Sequence, residues 1–161
     1  MFNKYAWKQP IFKSDLVPVL INGLIAAILG GILGGLVDYL SQLIGLNISF
    51  GLLILCYFIG NRVRKSYYSY HILYPTLTIL FMILGLLFST IAVNFIAFRN
   101  IQVVLQLFKP MVLLNIIVAP IKIIISSIIS FNILVLLMSL FNLAMYVIAF
   151  MYAYRLAKGR N

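Results

Sequence analysis

Acid–base, nucleophilic and metal chemistry draw on carboxylates, histidine and cysteine. This chain of 161 residues has two acids, Asp15 and Asp38, one histidine, His71, and one cysteine, Cys56. A hydrolase built on paired carboxylates needs both acids at one bond. Asp15 and Asp38 stand toward opposite ends of the first long apolar run. One His and one Cys cannot supply the three or four ligands of a protein zinc site, and a lone Cys forms no internal disulfide. No GxxxxGKS phosphate loop occurs, nor any recognisable Ser/His/Asp set. His71 has no carboxylate close in sequence, so it reads as an interfacial histidine rather than a general base. The expectation is a protein without enzymatic activity, cofactor or metal.

Asp38 is the residue whose position invites a functional reading. It lies near the end of GLIAAILGGILGGLVDYL, residues 23–40, a run with five glycines. An acid inside an apolar span is a functional candidate because a bare charge there is costly. Its expected depth is shallow, near the outer end of the span, where Arg99 reaches a similar height. The favoured reading is an interfacial anchor or an Asp38–Arg99 ion pair. A proton or cation site is the alternative, and such sites usually lie nearer the midplane. Asn94 and Asn142, with Asn22 and Ser139, read as polar contacts between helices. Asn142 is the best of these for an interior contact.

These residues must be positioned by helices in lipid. The chain is 65% hydrophobic and 9% charged, whereas about a quarter of a soluble domain is charged. Length allows one compact bundle, residues 1–161, and no second domain. The net charge is +10, but the basic residues cluster at the ends of apolar segments. Membrane topology explains that placement better than nucleic acid does. The loop RVRKSYYSYH mixes cations with aromatics, a pattern that can contact single strands. Topology control and attraction to anionic lipid headgroups is the favoured reading.

Apolar runs of about 20 residues are the signature of membrane spans. Four are expected, at about 16–40, 43–60, 72–98 and 132–154. The first two form a tight antiparallel hairpin with its corner near Ser41 and Gln42. Lys4, Lys8 and Lys13, then Arg62, Arg64 and Lys65, then Arg155, Lys158 and Arg160 all fall on one side of such a topology. Only Arg99, Lys109 and Lys122 fall on the other. The positive-inside rule therefore puts both termini in the cytoplasm, with the protein in the cell membrane. Tyr57, Tyr67, Tyr68, Tyr70, Tyr74, Tyr152 and Tyr154 gather at the same face, as an aromatic belt would. The first apolar run is too long for a signal-peptide core and no persuasive cleavage site follows it, so it reads as an uncleaved span.

Residues 99–131 are apolar but interrupted by Lys109-Pro110, Pro120 and Lys122. Interior proline bends or breaks a helix, and the remaining pieces are too short to cross hydrocarbon. The favoured reading is one or two interfacial helices with snorkelling lysines. A re-entrant element lining a cavity is the second, and a kinked fifth span at about 111–130 the third. The fold class is thus all-α: an integral membrane bundle of four spans with an interfacial or re-entrant segment before the last.

The glycines of the first span fall on two adjacent helical lines, since positions four apart share a face. Gly23, Ala27, Gly31 and Gly35 form one. Ala26, Gly30 and Gly34 form the other, and Asp38 is its next member. In lipid, close backbone approach holds helices together, and small-xxx-small ridges of this glycine-zipper kind allow it. Gly51, Gly85 and Ser89 are the internal partner candidates. Packing within the protein's own bundle is favoured over a homo-oligomer or another membrane protein.

Three features carry a resemblance: the first span ending GGILGGLVDYL, the second ending IGNRVRK, and the last running into AYRLAKG. Their order resembles small uncharacterised bacterial membrane proteins. In those, a glycine-rich hairpin with an IG-x-x-V exit is followed by two more spans and a short basic tail. The resemblance covers most of the chain except 99–131. It implies a four-span bundle in a bacterial membrane and carries no activity. The leading functional expectation is a non-enzymatic accessory, assembly or immunity-type protein acting through helix packing. The alternative is a small oligomeric transporter or channel, with Asp38, Asn94 and Asn142 along its path.

Overall fold

The computed structural model describes residues 11–45, 48–99, 105, 109–129 and 133–159. Five helices carry the described chain: α1 Lys13–Leu43, α2 Gly51–Lys65, α3 Leu73–Phe98, α4 Pro110–Ile129 and α5 Ile133–Lys158. No strand occurs among the described residues.

Three helices, α1, α3 and α5, are long and apolar enough to cross a membrane. The expected second span at 43–60 is not among them, and its helix has other bounds. α1 runs on to Leu43, because Ser41 Oγ donates to the Val37 carbonyl at 2.9 Å and stays within the helix. The corner falls at Ile44–Gly45. Gly45 takes φ +78° and donates its N–H to the Gln42 carbonyl at 3.0 Å, the left-handed stop that glycine provides most cheaply. Helix α2 then begins at Gly51 and runs to Lys65, 15 residues. That is about 22 Å at 1.5 Å per residue, short of the roughly 30 Å hydrocarbon core.

The segment after α3 also differs from expectation. Arg99 ends α3 in the left-handed region, φ 50°, with its N–H donated to the Phe95 carbonyl at 2.9 Å. Helix α4 then runs unbroken from Pro110 to Ile129, through Pro120. Pro110 stands at the first helical position, where its missing N–H costs nothing. Pro120 deletes one backbone donor, but unwinding an apolar segment would strand several more. Continuing the helix is the less costly outcome.

Contacts fix the directions. Gly34 of α1 meets Gly51 of α2, and Asp15 meets Ser69 just past α2, so α1 and α2 are antiparallel. Gly23, Gly31 and Gly35 meet Phe81, Gly85 and Ser89 in turn, so α3 runs parallel to α1. Gly60 meets Ala153 and Tyr67 meets Ala157, while Ser49 lies by Tyr146. Helix α5 therefore runs parallel to α2. Lys13, Arg62, Arg64, Lys65, Arg155 and Lys158 all come to one end of the bundle, and Arg99 to the other.

The short helix α2 is the centre. Leu52, Leu55, Cys56, Ile59 and Val63 are at most 1% exposed, and α2 packs on α1, α3 and α5. Around it the usual amphipathic order is reversed. The buried face of α1 is mostly small, from Gly23 through Gly35, while Leu20, Ile21, Leu24, Ile25, Ile28 and Leu29 point outward. Large apolar side chains outside and small ones between helices suit a bilayer, where dispersion at close approach holds helices together. Helix α4 packs chiefly on α5.

Candidate functional site

Three small-residue seams surround α2. On the seam between α1 and α3, a Cβ built at Gly31 would lie 2.5 Å from the Gly85 carbonyl oxygen and 2.7 Å from Phe88 Cβ. One built at Gly35 would lie 2.6 Å from the Ser89 oxygen and 2.9 Å from Ala92 Cβ. Gly23 faces the Phe81 ring, and Ala27 is fully buried. On the seam between α1 and α2, a Cβ at Gly34 would lie 2.9 Å from the Gly51 oxygen. Gly30, at 3.3 Å from Leu55 Cδ1 and Phe58 Cβ, has more room. The third seam, between α2 and α5, is one the sequence reading missed. Gly60 lies against Ala153 and Leu156, and Ala149, Ala153 and Ala157 are all buried. Their spacing of four was the available signal, hidden in a run dense with large apolar residues.

Asp38 finds its partner where the second seam ends. Its Oδ1 accepts the Gly51 N–H at 2.8 Å. Gly51 is the first residue of α2, and Phe50 before it supplies no side-chain cap. A helix N-terminus has unsatisfied N–H groups and a partial positive charge. Asp38 answers both from the neighbouring helix. The expected pairing with Arg99 does not form, because Arg99 closes α3 and no ion pair joins the two residues among the described contacts. Gly34 and Asp38 thus act together: Gly34 admits the α2 backbone, and Asp38, one turn on, holds its first N–H.

Asp15 does the matching work at the opposite end, which the sequence reading did not foresee. It is 5% exposed, and its Oδ2 accepts the Ser69 N–H at 2.9 Å. Asp15, Val19, Gly23, Ala27, Gly31 and Gly35 are spaced by four, and all are buried. Extending the first glycine line back two turns would have found it. Each line on α1 carries one acid, at its start or its end. The two acids hold the backbone just past and at the head of α2.

Beside Asp15 lies a cluster of rings. Tyr67 donates its hydroxyl to the Ala157 carbonyl, one of the unpaired carbonyls at the end of α5. Arg64 sits 5.3 Å over the Tyr67 ring, a cation–π contact. Tyr67 and Tyr74 are 4.9 Å apart by centroid, and His71 and Tyr74 5.9 Å. His71 Nδ1 accepts the Leu73 N–H at 3.0 Å, at the start of α3. His71 Nε2 and the Tyr74 hydroxyl are buried without a protein partner. Burial pushes the Tyr67 hydroxyl above the usual tyrosine range, with Arg64 opposing. Burial also raises Tyr70, aided by Tyr154. Tyr67, His71 and Tyr74 are therefore interior, not members of an interfacial belt, and the Tyr67 hydroxyl and His71 Nδ1 serve helix ends. Tyr68, at 99% exposure, points outward.

The other polar candidates do not converge. Asn94 Nδ2 donates to the Thr90 carbonyl at 2.8 Å, within its own helix, and Ser139 Oγ does the same to Val135. Asn142 is half-buried on α5. Lys109 and Lys122 are exposed. Lys4, Lys8 and Arg160 lie outside the described residues. No group of three or more His, Cys, Asp or Glu gathers among the described residues.

No family model, curated protein or solved structure matches this chain.

Proposed function

We propose that this chain is a multi-pass cell-membrane protein with cytoplasmic termini that works without catalysis, as an accessory, assembly or immunity-type subunit docking another membrane protein. The observation that carries this reading is the division of its apolar surface. The glycine lines of α1 are occupied by α2 and α3, so they are spent on the fold. By contrast α5 is the least buried of the three long helices, and Ile133, Leu134, Leu137 and Phe141 of α5, with Ile121, Ile125 and Ile128 of α4, are each more than half exposed. Helices α4 and α5 pack on one another. This two-helix arm is the surface offered to a partner.

The topology has its own support. Six described cations share one bundle end, as a cytoplasmic face requires. Four crossings need the short α2 to be extended at its head by neighbours such as Ser49 and Phe50, backbone tolerated at depth only where protein covers it. Arg99 and Ile133 lie at the same end of the bundle, so the chain between them crosses an even number of times. Helix α4 alone would be one crossing, which favours an interfacial or re-entrant placement over a fifth span. The transporter alternative draws no comparable support, since Asp38 is engaged by the α2 backbone and Asn94 by its own helix.

Co-purification in mild detergent tests the docking role. A partner captured by the intact chain should be lost on polar substitution of Leu137 and Phe141, with Cys56 still protected from labelling. A monomer without partner in several detergents, or solute flux through the protein in liposomes, would overturn it.

A further inference from the structure

A groove of about 460 Å³ runs between α3 and α5, lined by Ile79, Phe150, Met151, Tyr154, Arg155 and Lys158. Its walls are almost wholly apolar, and its two cations stand at one end. Arg155 and Lys158 are three apart on the last turns of α5, so they share a face. That end of the bundle also holds Lys13, Arg62, Arg64 and Lys65.

Among the described residues no carboxylate pairs with Arg155 or Lys158. Asp15 and Asp38 are the only acids, and each gives an oxygen to a backbone N–H on another part of the bundle. Both cations are exposed. An occupant must therefore bring an anion to Arg155 and Lys158 and an apolar chain to Ile79, Phe150 and Met151. A second copy of this protein would bring net charge +10 to the same place, which repels. A bilayer phospholipid with an anionic headgroup meets both demands.

We infer that the α3–α5 groove is a binding site for one anionic phospholipid of the adjoining leaflet. Arg155 takes the phosphate through its planar pair of N–H donors. Lys158 adds a point charge, and the Tyr154 hydroxyl a further donor. One acyl chain lies along Ile79, Phe150 and Met151. This rests on the membrane reading above and adds a defined site to the general attraction between a basic face and anionic lipid.

The test is native mass spectrometry of the full chain from mild detergent, titrated with phosphatidylglycerol or with phosphatidylcholine of the same acyl chains. The wild type should retain one phosphatidylglycerol in preference to phosphatidylcholine. The double variant R155Q/K158Q should lose that preference by roughly thirtyfold, from two charges near the surface. Ile79→Trp, which fills the groove and leaves every charge in place, should lose retention as well. Cys56 protection confirms that each variant is folded. Equal retention of the two lipids overturns the site. So does a preference that survives Ile79→Trp, which would mean surface attraction alone. Failure of the membrane reading gives a different result, a chain released from membranes by alkaline carbonate without detergent.

Discussion

The sharpest test of the glycine seams uses two adjacent residues and one substitution. Gly30→Ala and Gly31→Ala both replace a mid-helix glycine of α1. Each gains the same helix propensity, about 1 kcal/mol, so that gain cancels in the comparison. What differs is the space. The new Cβ at position 30 would sit 3.3 Å from two side-chain carbons, Leu55 Cδ1 and Phe58 Cβ. A shift of a few tenths of an ångström relieves that. At position 31 it would sit 2.5 Å from the Gly85 carbonyl oxygen and 2.7 Å from Phe88 Cβ. Backbone cannot rotate away, so α3 must move off α1 and the neighbouring contact at Gly35 loosens too. Overpacking of this kind costs about 1–3 kcal/mol. Cys56 supplies the assay. It is the chain's only cysteine, is 1% exposed, and donates its Sγ–H to the Leu53 carbonyl at 3.1 Å within α2. When reclosing outpaces labelling, the maleimide rate follows the opening equilibrium. At 1.4 kcal/mol per decade, Gly31→Ala should label about five to 140 times faster than Gly30→Ala. Equal rates, or the reverse order, would refute the packing argument.

Further outcomes follow from the polar contacts. Asp38→Ala removes the acceptor at the head of α2 and should cost about 1 kcal/mol, while Asp38→Asn, which keeps an acceptor oxygen, should stay within about 0.5 kcal/mol of wild type; a large loss in the Asn variant would point to a role for the charge itself. Tyr67→Phe removes the bond to Ala157 and should cost about 1 kcal/mol in the same labelling assay. Burial raises the folded pKa of Tyr67 above its ordinary 10.0, so its contribution is complete below pH about 10 and is lost as pH climbs through the folded value. The wild type should therefore loosen at alkaline pH, read by tyrosinate absorbance alongside labelling, and Tyr67→Phe should show less of that dependence. In a Cys56→Ala background, cysteine at position 68 should label only from the cytoplasmic side and cysteine at position 98 only from outside. Labelling of both from one side would overturn the orientation.

Much of the fold could be read from composition because lipid imposes a simple rule. Long apolar runs near 16–40, 72–98 and 132–154 became α1, α3 and α5 with their ends close to expectation. The misreadings arose where a local signal competed with hydropathy. Ile44 and Gly45 were read as the start of a span, yet Gly45 is a left-handed stop. Pro120 weighed against one continuous helix, which only the third reading at about 111–130 kept, yet an apolar environment makes continuation less costly than stranded backbone groups. Tyr67, Tyr74 and His71 matched the composition of a belt. Their interior positions depend on where α5 ends, and no spacing within 61–71 encodes that.

The acids show why the site was only half legible. Asp38 drew notice because it interrupts an apolar run, and its charge suggested an ionic partner. Its actual partner is a backbone N–H, which no residue code displays. The same holds for Asp15 and Ser69. A short central helix needs such help. With 15 residues, α2 is shorter than a hydrocarbon core, so its first N–H groups fall against the bundle and need a partner there. Two carboxylates on one helix, one at the head of α2 and one just past its end, hold that backbone. Their separation along α1 therefore matches the length of α2 plus its exit turn. On this argument, inserting one helical turn into α1 between Gly23 and Gly31 would leave at most one acid in register, and α2 would fray from the end that lost it.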